Sequence, residues 1–304
     1  MAKNDGNATK FYGMKNDYMF KAVLQSAEHV LRNLVAVLLE IDEEDIRTCT
    51  ILNPITLGAS IDAKECILDM LMELNSNEII DIELQVTNEH DYPERSLLYW
   101  SRSFDRLNSG EAYKQLKKAY HIGILDFTLF GDNPSFYAEY EIRDKDSGYL
   151  YSDKLNIRIL DLTKVEVAGQ SGNIDPGLVK WAQIFRAKTM EELEALADRE
   201  EVFKEMITCI KELSEDEEIR QRCAAREDYE RRLLGAYSRG MEEGESAGFK
   251  KGESSGFEQG ITAFILDKIE DDCSEDAIIN KLVKRFFLTE EKAREYYKKY
   301  ESNN

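Results

Sequence analysis

Histidine and cysteine are scarce in this 304-residue chain, and neither clusters. Cys49, Cys66, Cys209, Cys223 and Cys273 lie far apart, none forms a CxxC pair, and His29, His90 and His121 do not come together. A zinc site is therefore not expected, and reduced, packed thiols are. Any catalytic metal has to sit on carboxylates, which points to Mg²⁺ or Mn²⁺. No run of ~18 apolar residues exists, so no membrane-spanning helix is expected. The opening MAKNDGNATKF has no apolar h-region; a secretory signal is not expected, and the cytoplasm is the expected location. Positive charge is also short, with 40 Lys and Arg against 60 Asp and Glu, a net charge of −20. That argues against a generic nucleic-acid-coating protein, because phosphate binding rests on Lys and Arg. A local basic stripe can still outweigh a distant acidic tail, so the distribution matters more than the sum.

What is present suits one well-buried core plus a smaller appendage: 42% of residues are apolar and 33% charged. Phe20, Val23, Leu24, Leu31, Leu34, Val35 and Leu38 recur at helical spacing, which predicts one amphipathic helix over 16–39. Asn16 or Asp17 would cap it. Residues 64–74, KECILDMLMEL, read as a strand, 75–77 as a hairpin turn, and 78–86, EIIDIELQV, as the returning strand. From Asp81 onward the alternation is strict. Asp81, Glu83 and Gln85 share one face, while Ile80, Ile82, Leu84 and Val86 share the other. Three polar side chains in register on a core strand are unusual unless that face is wet or functional.

Residues 92–110 read as a helix with a glycine stop, and 112–118 as a second helical piece. A buried strand is expected at 121–130. Hairpin-like material follows over 136–162, with a turn at 145–148 and a strand at 155–160. This order predicts a mixed α/β fold with the first hairpin central. From Gly177 the spacing is almost wholly helical, with acidic residues crowded over 191–218. Gly240, Gly244, Gly248, Gly252, Gly256 and Gly260 then recur every fourth residue. The polar residues between them exclude a membrane-type glycine motif, and each glycine costs a helix about 1 kcal/mol relative to alanine. Close self-association and a flexible linker are both open readings of this tract. A compact helical unit is expected over 262–300, with a boundary at 287–289 and a capped start at LTEE.

Phosphodiester hydrolysis with Mg²⁺ needs acidic side chains on the ion, a group that positions water, and positive or polar groups at the phosphate. Two adjacent antiparallel strands supply this when one offers Asp and its neighbour offers Glu-x-Lys on one face. Asp69 lies before the turn, and Asp81, Glu83 and Gln85 lie after it. Spacing alone leaves two readings open, metal ligands or ordinary solvent-facing and salt-bridged acids. Arg95 and Tyr99 are i, i+4 on one helical face, and Arg102 and Arg106 continue the stripe. Lys114, Lys117 and Lys118 add charge, with Tyr92, Trp100 and Tyr113 interleaved. This is the most basic and aromatic region of the chain, suited to a DNA backbone, against the alternative of ordinary surface charge over a core.

In order and spacing, NDYMFKAVL, CILDMLMEL, IIDIELQ, ERSLLYWSRSF and GEAYKQLKKAYHIGILDF resemble the Rpn family. These are recombination-promoting nucleases, also described as PD-(D/E)XK nuclease family transposases, and the glycine tract is typical of them too. The resemblance implies an α/β restriction-endonuclease-like core, a mixed central sheet flanked by helices, followed by a helical C-terminal region. Its expected parts are a nuclease core over 1–175, a helical extension over 176–239, the glycine segment over 240–261 and a small helical unit over 262–304. It also implies a Mg²⁺- or Mn²⁺-dependent DNA endonuclease of low sequence specificity, tied to recombination or mobile elements and acting as a homo-oligomer such as a dimer. Asp69 matches the family's first metal-binding carboxylate and Glu83 the second. Gln85 stands where the wider superfamily has lysine, so either Lys64 or Arg95 supplies the charge or the site is weakened. In the weakened case the chain is a DNA- or protein-binding regulatory module. Asp17 either points toward the site or caps its helix, and Asp81 is an outer carboxylate or an edge hydrogen-bonding residue. In a further reading the C-terminal unit supplies specificity.

Overall fold

The computed structural model describes residues 10–54, 70–107, 110–197 and 200–301. The chain forms two compact units, Met1–Arg231 and Arg232–Asn304.

The first unit is built on a six-stranded mixed sheet. Its strands are β1 (Cys49–Ile51), β2 (Met70–Leu74), β3 (Glu78–Gln85), β4 (Lys118–Leu125), β5 (Tyr137–Arg143) and β6 (Leu150–Asp161). Their order across the sheet is β1-β2-β3-β4-β6-β5, with β3, β4 and β6 parallel and the remaining pairs antiparallel. The parallel pair β3–β4 is therefore central, whereas the sequence pattern placed the whole first hairpin there. Parallel strands need a crossover, and helix α3 (Tyr92–Phe104) provides it. Asn75 and Ser76, both at positive φ, turn β2 into β3. The Asn75 side chain accepts from the backbone N–H groups of Arg47 and Thr48 and donates to the Asp45 carbonyl. Asparagine tolerates this left-handed geometry because its short amide bonds locally.

Both faces of the sheet are covered. Ile80, Ile82, Tyr120, Ile122, Ile124 and Leu160 belong to the main core. That core is shared with α1 (Asp17–Ser26), α2 (Glu28–Leu39), α4 (Val165–Ser171), α5 (Pro176–Arg186), α6 (Met190–Ala197) and α7 (Glu201–Glu215). Trp181 of α5 is its largest fully buried side chain, edge-on to Phe203 of α7 with ring centroids 5.2 Å apart, and its indole N–H bonds Asn33. On the other face Tyr92, Leu125, Leu155, Ile157 and Ile159 form a smaller cluster, with α3 lying over it.

Several expectations are corrected. The single helix over 16–39 is two helices, bent by 110° at Ala27, whose backbone leaves the helical region at φ −121°. Asn16 caps the first by accepting from the Met19 N–H at 3.1 Å, so Asp17 is not the cap. Helix α3 ends at Phe104 rather than at Gly110. Residues 112–118 form a short 3-10 turn at Tyr113–Gln115 and then enter β4, which ends at Leu125. β6 runs from Leu150 because its first residues pair with β5. Among the described residues no single helix is long and apolar enough to cross a membrane, and the apolar residues of the bent pair α1–α2 are buried in the core.

Helix α8 (Glu217–Glu270) is 54 residues long, begins in the first unit and contains the whole glycine tract. In the second unit Ile261 and Ile265 of α8 pack with Ile278, Ile279 and Leu282 of α9 (Glu275–Phe286) and Ala293 and Tyr297 of α10 (Glu290–Glu301). The predicted boundary at 287–289 holds, with Phe287 at positive φ ending α9.

Candidate active site

Strand alternation puts Asp81, Glu83 and Gln85 on the α3 side of β3, as the sequence requires. That face is not wet: all three are buried. Across the parallel ladder they pair with His121, Gly123 and Leu125 of β4. Helix α3 lies over this row, and residues three, four and seven apart share its inner face. Tyr92, Arg95, Ser96 and Tyr99 follow that spacing.

Glu83 is 2 % exposed, and one of its oxygens, Oε1, forms an ion pair with the Arg95 guanidinium. The other, Oε2, is buried with no hydrogen-bond partner among the described residues. The His121 Nε2 lies 3.5 Å from it. Gln85 donates its amide N–H to the Thr87 carbonyl at 2.9 Å, and its Oε1 is also buried without a partner. His121, fully buried, spans Asp81 through Nδ1 at 3.0 Å and the Tyr92 hydroxyl through Nε2 at 3.1 Å. Burial pushes the Glu83 carboxyl above the ordinary glutamate range, and the charges of Arg95 and His121 offset only part of this. Burial also opposes the charge on Arg95, but Glu83, Tyr99, Glu89 and Asp91 outweigh it and raise its pKa.

Two unpartnered oxygens on alternate residues of one strand face fit a hard divalent cation, which takes carboxylate and amide oxygens. Among the described residues no group of three or more His, Cys, Asp or Glu is placed to hold an ion. Asp69, the remaining expected carboxylate, lies outside the described residues, as does Lys64. The described β2–β3 ladder ends at Met70 opposite Ile82.

The other expected residues are distributed unevenly. Asp17 is ion-paired with Arg226 of α8. Tyr99 lies between two guanidinium groups, Arg95 at 5.6 Å and Arg102 at 6.0 Å from its ring centre. Arg106 and Lys114 are exposed beyond the end of α3. Lys117 pairs with Glu73 at 2.6 Å, and Lys118 lies over Tyr120. Both lysines are at the N-terminal end of β4, about 23 Å along the strand from Leu125, the partner of Gln85. Trp100 stacks on Phe104 and donates to the Ala119 carbonyl, and Tyr92 is wholly buried with its hydroxyl on His121.

The family described as PD-(D/E)XK nuclease family transposase matches residues 14–233. The chain belongs to that family. No curated protein and no solved structure matches the chain. Family membership carries a nuclease or mobile-element role with DNA as substrate, and PD-(D/E)XK nucleases generally use divalent metals. The sequence reading missed Tyr92 and His121 as members of the buried row of this PD-(D/E)XK chain. Period-two counting along HIGILDF puts His121 on the face of Gly123, but only the β3–β4 register sets that face beside Asp81 and Glu83. It also missed Lys15, which reaches Asp126 at 2.5 Å, one residue past β4. The Asp126 N–H bonds the Gln85 carbonyl, so this lysine lies at the Gln85 end of the strands.

Proposed function

We propose that this PD-(D/E)XK family member is a DNA endonuclease of low sequence specificity that depends on Mg²⁺ or Mn²⁺. Asp69 and Glu83 hold the ion, with the Gln85 amide oxygen beside them. The bound ion supplies Lewis-acid stabilisation of charge at the scissile phosphate and acidifies water. The chain's own residues do the rest. Glu83 keeps one anionic oxygen clear of hydrogen bonds, Gln85 orients water through its amide oxygen, and Arg95 brings the positive charge that a lysine at position 85 would have carried. The observation that carries this reading is the contrast within one carboxylate, whose outer oxygen is held by Arg95 while its inner oxygen is buried and unpartnered. The same ion pair favours a second reading, in which Arg95 neutralises Glu83 permanently and the chain binds DNA without cutting it.

Plasmid cleavage with Mg²⁺ and with Mn²⁺, by wild type, Asp69→Ala and Glu83→Gln, separates the two. Metal-dependent nicking by wild type that both variants lose is the expected result. Equal cleavage by all three removes Asp69 and Glu83 from the site, and DNA binding without cleavage by wild type establishes the second reading.

Self-association through α8 belongs to the same proposal. A Cβ at Gly240, Gly244, Gly248, Gly252 or Gly256 would meet nothing within 4 Å, so a second copy could approach the helix backbone there. Replacing Gly248 and Gly252 by leucine strengthens the helix but blocks close approach. The double variant is expected to be monomeric in sedimentation, and an unchanged oligomer overturns the idea.

A further inference from the structure

The two edges of the sheet are unlike. β1, at one edge, is three residues long, whereas β5, at the other, has seven. Sheets protect a long edge with proline, lysine or a covering element, because its backbone groups otherwise pair with another chain. β5, YAEYEIR, contains neither residue, none of its residues is buried, and among the described residues no strand lies beyond it. We propose that β5 is an interface between two copies of this chain, which pair their β5 strands antiparallel about a two-fold axis at Glu141 and so join their sheets.

The backbone sets which residues can pair. Phe136 accepts from the Asp161 N–H and Asp144 donates to the Tyr149 carbonyl, so both flanks of β5 bond toward β6. Antiparallel ladders alternate, which turns the N–H and C=O groups of Tyr137, Glu139, Glu141 and Arg143 outward. The register irregularity at Tyr140–Ile142 leaves this alternation intact, because its extra residues fall on β6. A second β5 therefore pairs odd-numbered residues with odd-numbered ones.

Side chains then choose the register. With the axis at Glu141, Arg143 of each copy faces Glu139 of the other, and on the opposite side of the sheet Tyr140 faces Ile142. Both of these apolar side chains are exposed, Ile142 by 44 %. Opposite charges and aromatic–β-branched pairs are the favourable cross-strand kinds. The two Glu141 carboxylates meet at the axis, but each already accepts from its own Arg143 Nε at 2.9 Å. An axis at Tyr140 sets Glu139 against Glu141 twice, a like-charge clash. An axis at Ile142 overlaps only Glu141–Arg143, against Glu139–Arg143 for the axis at Glu141. Arg143 pairs with Leu150 across the hairpin, so the exposed Tyr149 and Tyr151 flank the contact with the aromatic surface that interfaces favour. So short an overlap is smaller than a stable interface, which makes the contact weak alone and stronger wherever two copies are already held together. It depends neither on the reading of Glu83 nor on the α8 contact.

Disulfide trapping in the full chain tests this pairing. Residues directly opposite in an antiparallel pair have Cα atoms about 4.5–5.5 Å apart, within disulfide reach, and pairs beyond about 7 Å are not bridged. Glu141→Cys is expected to give a covalent dimer with diamide at high protein concentration, above the background that wild type sets with its native cysteines. Tyr140→Cys and Ile142→Cys are each expected to stay uncrosslinked alone and to crosslink when mixed. Adding Ile142→Lys to Glu141→Cys is expected to slow trapping about tenfold, with the circular dichroism melt unchanged. Trapping of Glu141→Cys no faster than wild type overturns the proposal, as does trapping that Ile142→Lys leaves untouched in a folded protein. Crosslinking of Tyr140→Cys or Ile142→Cys alone, in place of Glu141→Cys, overturns the axis at Glu141.

Discussion

Arg95 holds one oxygen of the Glu83 carboxylate and leaves the other buried without a donor. The two side chains come from consecutive elements, β3 and α3, so the pair also ties the crossover helix to the sheet. Breaking a buried ion pair by removing one partner costs roughly 3–5 kcal/mol, because the remaining charge is stranded. Arg95 is a quarter exposed, which places Arg95→Ala at or below the lower end of that range. A divalent cation at Glu83, as proposed, would replace the lost counter-charge. Millimolar Mn²⁺ is therefore expected to raise the melting temperature of Arg95→Ala more than that of wild type. Equal shifts in a thermal melt would show that the ion does not reach Glu83.

Gln85 is the second test of the same site. Its unpartnered amide oxygen faces the same way as Glu83. Gln85→Glu places a carboxylate there and is expected to tighten Mn²⁺ binding, whereas Gln85→Leu fills the space without an oxygen and is expected to weaken it about tenfold or more, on the scale of lost outer partners. Calorimetry on both variants decides the role. Identical affinities across wild type, Glu and Leu would remove Gln85 from the metal site and leave it a packing residue.

The strand that carries the candidate site was legible because period two is rigid: IIDIELQ could place Asp81, Glu83 and Gln85 on one face and on no other. The turn at 75–77 and the helical C-terminal half were legible for similar local reasons. The bend at Ala27 was not, since apolar spacing continues across it and only the backbone of one residue departs from helix. Arg95 was a candidate for the missing charge, but its contact with Glu83 depends on how α3 lies on β3. His121 and Tyr92 were invisible for the same reason: their meeting is set by a parallel register and by the absence of a Cβ at Gly123. Local pattern thus supplied the carboxylates, and tertiary register supplied everything around them.

Glu230 offers a test of the packing between α1 and the first part of α8. Burial, then the nearby Asp17 charge, push its carboxyl up to about 7, with Arg226 opposing. The sign follows from linkage: the folded state holds this proton where the unfolded chain has lost it, so stability falls as pH rises from the ordinary glutamate range of about 4.3 to about 7. Glu230→Gln removes that penalty. The variant is expected to be more stable than wild type at pH 8, by about 1 kcal/mol after discounting for partial exposure, and no more stable at pH 4. Denaturant unfolding at the two pH values measures this, and a gain of equal size at both would show that ionisation of Glu230 is not the cause.

The uneven spread of the basic residues predicts how DNA lies on the protein. Arg102 shares the Tyr99 ring with Arg95, next to Glu83, while Lys117 is engaged with Glu73. A duplex with its scissile phosphate at Glu83 would then run along α3 past Arg102. Each lost phosphate contact lowers the slope of log affinity against log salt by about 0.9. Arg102→Ala is expected to weaken duplex binding with a slope reduced by about one unit, and Lys117→Ala to leave both affinity and slope unchanged. Fluorescence anisotropy over a salt series reads both quantities. A slope that drops for Lys117→Ala and holds for Arg102→Ala would take the DNA off the Arg95–Arg102 face of α3 and would separate the binding surface from the candidate metal site.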